Sequence, residues 1–197
     1  MNELDKVSYS LGVNIGNSLK SQGLEELNAE QLAAALTDLF AGADLKISEG
    51  EGNAILNEHF GKLQAKKHEG AIKEGKDFLA ANASKDGVVT LPSGLQYQVM
   101  KEGSGIKPSL TSTVTTHYHG TTIDGNVFDS SVQRGQPASF PVNGVIAGWT
   151  EALQLMPIGS KWKLFVPSDL AYGAQGAGGA IGPHTTLIFE VELLEVK

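Results

Sequence analysis

Cysteine is absent from this chain of 197 residues, which excludes thiol nucleophiles, disulfides and every Cys-containing metal site. Arginine is almost absent too: Arg134 stands alone beside 14 Lys, and 22 acidic residues leave a formal net charge of −7. Such a chain lacks the basic stripe that nucleic-acid binding requires. No apolar run approaches the ~20 residues needed to span a bilayer, so no membrane role is expected. The opening Met-Asn-Glu-Leu-Asp has neither the basic region nor the apolar stretch of a secretory leader. The expectation is a soluble, cytoplasmic protein. Proline is missing from the first 91 residues, whereas the remainder holds all 7 prolines and most of the aromatic side chains. Hydrophobic residues make up 41% of the chain, too many for a disordered one.

The composition shift divides the chain in two. A proline-free segment can be helical without interruption, while spaced Pro and Gly suggest strands and turns. In the first half, Leu4, Leu11, Ile15 and Leu19 follow one helical stripe, with Val7 beside it. Asn28 and Gln31 read as a capping box opening a second helix, whose apolar side carries Leu32, Leu36, Leu39 and Phe40 and which Gly42 ends. Residues 1–45 are too few to bury these side chains alone, and no disulfide can staple them. The expectation is a helical dimerisation region, with two copies of the chain intertwined as a homodimer.

Ser48 and Glu51 read as another capping box, and no proline follows until Pro92. Residues 46–86 are expected to form one long connecting helix, running from about Ser48 to Ala83 and roughly 50 Å long at about 1.5 Å per residue. Over Gln64–Asp77 the only apolar residues are Ala65, Ala71 and Ile72, which predicts a rod polar on all sides that bridges two regions through solvent.

From Leu91 the hydrophobic period changes to two. Leu95, Tyr97 and Val99 alternate with polar residues, as do Val114, Thr116 and Tyr118, then Trp162, Leu164 and Val166, and finally Leu187, Phe189, Val191 and Leu193. Asp124-Gly125 is a hairpin signal. Val145–Leu155 has helical spacing and is closed by Pro157 and Gly159. Residues 87–197 are therefore expected to form a curved antiparallel sheet wrapped around a short helix, giving an α+β chain overall.

Five segments of this second half carry a resemblance: Thr116-His117-Tyr118-His119-Gly120, Asp124 to Ser131, Val145-Ile146-Ala147-Gly148-Trp149, Ala171-Tyr172-Gly173, and Gly182 to Leu193. In order and spacing the chain resembles the FK506-binding proteins, which are peptidyl-prolyl cis/trans isomerases. With helices and a long connecting helix ahead, it is similar to the macrophage infectivity potentiator type, which implies a V-shaped homodimer.

The resemblance implies an isomerase that accelerates X–Pro isomerisation and assists protein folding. Its substrates would be unfolded or partly folded proline-containing proteins, held with chaperone-like help from the N-terminal region, and its inhibitors macrolides such as FK506 and rapamycin. It also implies site residues. Trp149 matches the floor of a proline slot, with Tyr118, Phe128, Val145, Ile146 and Phe189 as walls. Tyr172 matches a hydroxyl that bonds a ligand carbonyl, Asp129 a carboxylate that orients side chains, and Ile181 an apolar residue of the flap. No cofactor or metal is called for. The alternative is a non-catalytic peptide-binding chaperone with a vestigial slot.

Two departures from the family pattern bear on selectivity. Ala138 follows Pro137 where many members place an aromatic, and Ala177 stands where the flap often has His, within a loop rich in glycine. Weaker discrimination among residues preceding proline is expected. His117 and His119 share one strand face, but Tyr118 between them points the other way. They read as ordinary strand histidines, outside any pocket that Tyr118 lines.

Overall fold

The computed structural model describes residues 1–197, which fall into two compact units, Met1–Ala65 and Lys66–Lys197.

The first unit is helical. Helix α1 (Glu3–Ser21) opens on a complete capping box that the sequence reading passed over: the Asn2 side chain accepts the Asp5 N–H at 2.8 Å, and Asp5 accepts the Asn2 N–H at 2.9 Å. Helix α2 (Ala29–Ala41) starts where Asn28 accepts the Gln31 N–H and ends at Gly42 in the left-handed region, φ 66°. Helix α3 (Glu49–Ala83) starts where Ser48 accepts the Glu51 N–H. No residue of α1 or α2 is buried, and no helix is long and apolar enough to cross a membrane.

Within the second unit, α3 departs from the expected polar rod. His68, Ala71, Ile72, Phe78 and Leu79 are half-buried and Gly75 and Asn82 are buried, a stripe at helical spacing. Gly75 lies against Thr186, Phe78 packs on Phe165 with ring centroids 6.0 Å apart, and the Asn82 amide donates to Gln96 at 3.0 Å. The Gln96 amide in turn donates to the Leu79 carbonyl at 2.9 Å. The boundary between compact units therefore falls inside α3, at Ala65, and not at residues 86–87. The expectation erred because His68, Gly75 and Asn82, which hydropathy scores as surface, interrupt the apolar members of the stripe.

The sheet is antiparallel throughout, ordered β1-β2-β6-β7-β3-β4, with β5 also paired to β3. Its strands are β1 (Val88–Thr90), β2 (Gln96–Lys101), β3 (Thr113–Thr122), β4 (Val127–Ser130), β5 (Ala138–Pro141), β6 (Lys161–Val166) and β7 (Leu187–Val196). Helix α4 (Ser131–Arg134) is a single turn after β4, and α5 (Ala147–Leu153) is the expected short helix. Val114, Tyr118, Leu164, Leu187, Phe189, Val191 and Leu193 bury one sheet face against Trp149, Ala152 and Leu153 of α5. The β3–β4 hairpin turns through Gly125 at φ 85°, as Asp124-Gly125 suggested.

Candidate active site

Period-two alternation on β3 and β7 sends Tyr118 and Phe189 to the buried face, β4 adds Phe128 and Asp129, and α5 with its approach adds Val145, Ile146 and Trp149. With Tyr172 these side chains line one cavity of about 480 Å³. Trp149 is only 4% exposed. Aromatic neighbours surround its indole, with ring centroids at 5.4 Å for Tyr118, 5.3 Å for Phe189 and 6.0 Å for Phe140, all near perpendicular. Such edge-to-face contacts each add about 0.5–1.5 kcal/mol beyond burial and fix ring orientation. Gly120 makes the crowding possible, since a Cβ there would meet Phe128 at 2.6 Å.

Eight of the nine residues assigned from sequence converge here, and Ile181 does not. It is buried at 7% exposure and packs into the core, joined to Ala177 by reciprocal backbone hydrogen bonds of 2.9 and 3.0 Å. It braces the glycine-rich loop and does not line the cavity. Conversely, Phe140 lines it and was not assigned. Ala138 does not cost the site its aromatic wall, because Phe140 sits two residues on, on the same face of β5. That alternation is the signal that would have found it.

Arg134 was also missed. The Tyr118 hydroxyl donates to Asp129 at 2.5 Å, Arg134 pairs with the other Asp129 oxygen, and its second nitrogen donates to the Tyr118 hydroxyl at 2.8 Å. The guanidinium also lies 5.6 Å from the centre of the Tyr118 ring. One helical turn delivers it: the Ser130 side chain accepts the Gln133 N–H to start α4, and Gly135 ends it at φ 72°. A lone arginine five residues after Asp129, between a capping serine and a glycine, was the available clue.

Burial pushes the Tyr118 hydroxyl above its ordinary pKa, and the adjacent Asp129 carboxylate adds to the rise. Burial would raise the Asp129 carboxyl as well, but hydrogen bonds from Tyr118 and Arg134 outweigh it and hold the group below its ordinary value. Near neutrality one stays protonated and the other ionised. His117 and His119 point away from Tyr118, and their Nδ1 atoms lie 3.1 and 3.0 Å from the Ser131 and Ser130 hydroxyls. Tyr172, 41% exposed, stands at the rim. The Ile146 N–H, beside the cavity, is used in no backbone hydrogen bond.

Residues 104–194 match the family described as FKBP-type peptidyl-prolyl cis-trans isomerase, and residues 4–99 match the domain amino terminal to it. The chain belongs to the FKBP-type peptidyl-prolyl cis-trans isomerases. It is 48% identical to the outer membrane protein MIP of Legionella longbeachae over 98% of this chain and 85% of that one. It is 46% identical to the FKBP-type 22 kDa peptidyl-prolyl cis-trans isomerase of Escherichia coli over 97% of this chain and 94% of that one. Among solved structures, FkpA from Escherichia coli matches with a TM-score of 0.80 at 39% identity, covering 100% of this chain and 97% of that chain. The α+β class and the isomerase activity expected from sequence stand with these relatives.

Proposed function

We propose that the Trp149 cavity takes the proline ring of an unfolded or partly folded protein and speeds rotation by desolvating one amide. Rotation costs about 18–20 kcal/mol because resonance is lost, and water raises that cost by solvating the planar, charge-separated form best. An apolar slot withdraws that solvation. In this reading Tyr118, Phe128, Phe140 and Phe189 wall the ring, and the Tyr172 hydroxyl and Ile146 N–H donate to the neighbouring carbonyl. Asp129 and Arg134 hold Tyr118, and no proton moves. The observation that carries the reading is the aromatic enclosure of Trp149 beneath an open cavity. Isomerisation of an X–Pro peptide with and without FK506 tests it: the rate should fall to the uncatalysed value as the macrolide fills the slot.

The same proposal includes a homodimer built by α1 and α2 that holds clients in a chaperone-like way. Leu4, Leu11 and Phe40 are 73%, 57% and 88% exposed, and unpartnered apolar faces of this kind favour association. Sedimentation of the full chain tests the dimer. Comparison of the full chain with residues 66–197 tests the division of labour: tetrapeptide rates should match, while catalysis of proline-limited refolding should fall in the shorter chain. Cytoplasmic residence is also part of the proposal, and cell fractionation tests it.

A further inference from the structure

We propose that Ser131 is a positioning residue for isomerisation, its hydroxyl standing in for a missing strand beside Tyr118. This rests on Tyr118 being a wall of the proline slot. Along one edge of β3, β5 pairs Thr113–Thr116 and β4 pairs His119–Thr121. His117 and Tyr118 fall in the gap, and the Tyr118 backbone is buried there with no strand on that side. A buried backbone N–H or C=O without a partner is strongly disfavoured.

Ser131 fills the gap with one atom. Its Oγ accepts the Tyr118 N–H at 2.7 Å and donates to the Tyr118 carbonyl at 3.2 Å. That hydroxyl has one proton, and with the carbonyl as its acceptor the contact to His117 Nδ1 at 3.1 Å is one in which the imidazole donates, the Nδ1–H tautomer that the proposal expects. Ser131 is fully buried, so no solvent competes for these bonds.

The placement follows from α4. Ser131 and Arg134 are three residues apart on a single turn and therefore share a face. Ser131 holds the backbone of Tyr118 while Arg134 holds its hydroxyl. One short helix thus grips the same residue at both ends, and neither grip touches the substrate. Losing the backbone grip lets the Tyr118 ring wander from its edge-to-face contact with Trp149.

The test uses the full chain carrying Ser131→Ala, Ser131→Thr or Ser131→Cys, with Leu95→Val, at the buried position just before β2, as a core control. Ser131→Ala should lower kcat/KM on an X–Pro peptide about fivefold or more, as one lost hydrogen bond allows, and beyond the loss in the control. The Tyr118 amide should exchange at least about tenfold faster, and ¹⁵N shifts should show His117 moving toward the Nε2–H tautomer. Ser131→Thr should restore all three readouts. Should the alanine variant not fold, Ser131→Thr retaining the rate while Ser131→Cys loses it supports the proposal. Equal rates in the threonine and cysteine variants, or an alanine variant no slower than the control, overturn it. Failure of the slot itself reads differently: the wild-type rate would then be indifferent to FK506 and to Trp149→Leu.

Discussion

The Tyr118 hydroxyl donates to the Asp129 carboxylate at 2.5 Å inside the aromatic cavity, and the chain's lone arginine closes the triangle. A carboxylate beside a phenol invites an acid–base reading, but the shifts run the wrong way for one. The Tyr118 pKa is raised and that of Asp129 lowered, so each is locked in one protonation state across the neutral range. The rate of X–Pro isomerisation should be flat from about pH 6 to 9, a window in which neither group titrates. A bell-shaped profile in that window would contradict this.

Stability should respond to acid. The Asp129 carboxyl is lowered in the folded chain from 3.8, so its stabilising contribution is complete above that value and is lost as pH falls through the folded pKa. Thermal unfolding of Asp129→Asn should therefore show a shallower loss of stability than wild type below about pH 4 and no difference in slope near neutrality.

Arg134→Lys removes the fork that reaches both Asp129 and the Tyr118 hydroxyl. A lysine offers one point charge, so it cannot hold both groups in fixed geometry. Activity should fall several-fold while the melting temperature moves by only a few degrees, because the pair is about half-exposed and such pairs stabilise little. Parallel melting curves and peptide kinetics separate the two effects.

Phe140→Ala should weaken FK506 binding and peptide turnover together, by about tenfold, since it opens one wall of the cavity and removes the edge contact to Trp149. Titration by intrinsic tryptophan fluorescence reads the binding loss directly.

Two glycines of α3 should behave oppositely. Gly70 has nothing within 4 Å of a would-be Cβ, so Gly70→Ala should stabilise by up to about 1 kcal/mol through helix propensity. A Cβ at Gly75 would stand 2.5 Å from the buried Thr186 hydroxyl, so Gly75→Ala should destabilise by about 1–3 kcal/mol. Adding Thr186→Ala to Gly75→Ala should recover part of the loss, and the size of the coupling measures the contact.

Much of the site was legible because its residues obey simple periods. Tyr118 and Phe189 follow strand alternation, Trp149 lies on a short amphipathic helix, and eight of nine assigned positions line one cavity. Ile181 escaped because a loop has no period, and whether its side chain turns to the cavity or to the core depends on the Ala177 bridge. Arg134 and Ser131 escaped for another reason. Both act on Tyr118 from 13 to 16 residues away, across a turn whose geometry no local pattern encodes. The α3 stripe was hidden because Gly75 and Asn82 bury by fit and by hydrogen bonding, not by hydrophobicity.

The most direct test is kcat/KM for an X–Pro peptide in H₂O and in D₂O. Rotation driven by desolvation in the Trp149 cavity predicts a ratio near 1, because no proton is in flight at the barrier. A ratio of about 2 or more would mean that proton transfer limits the reaction, and would contradict a site that works by excluding water.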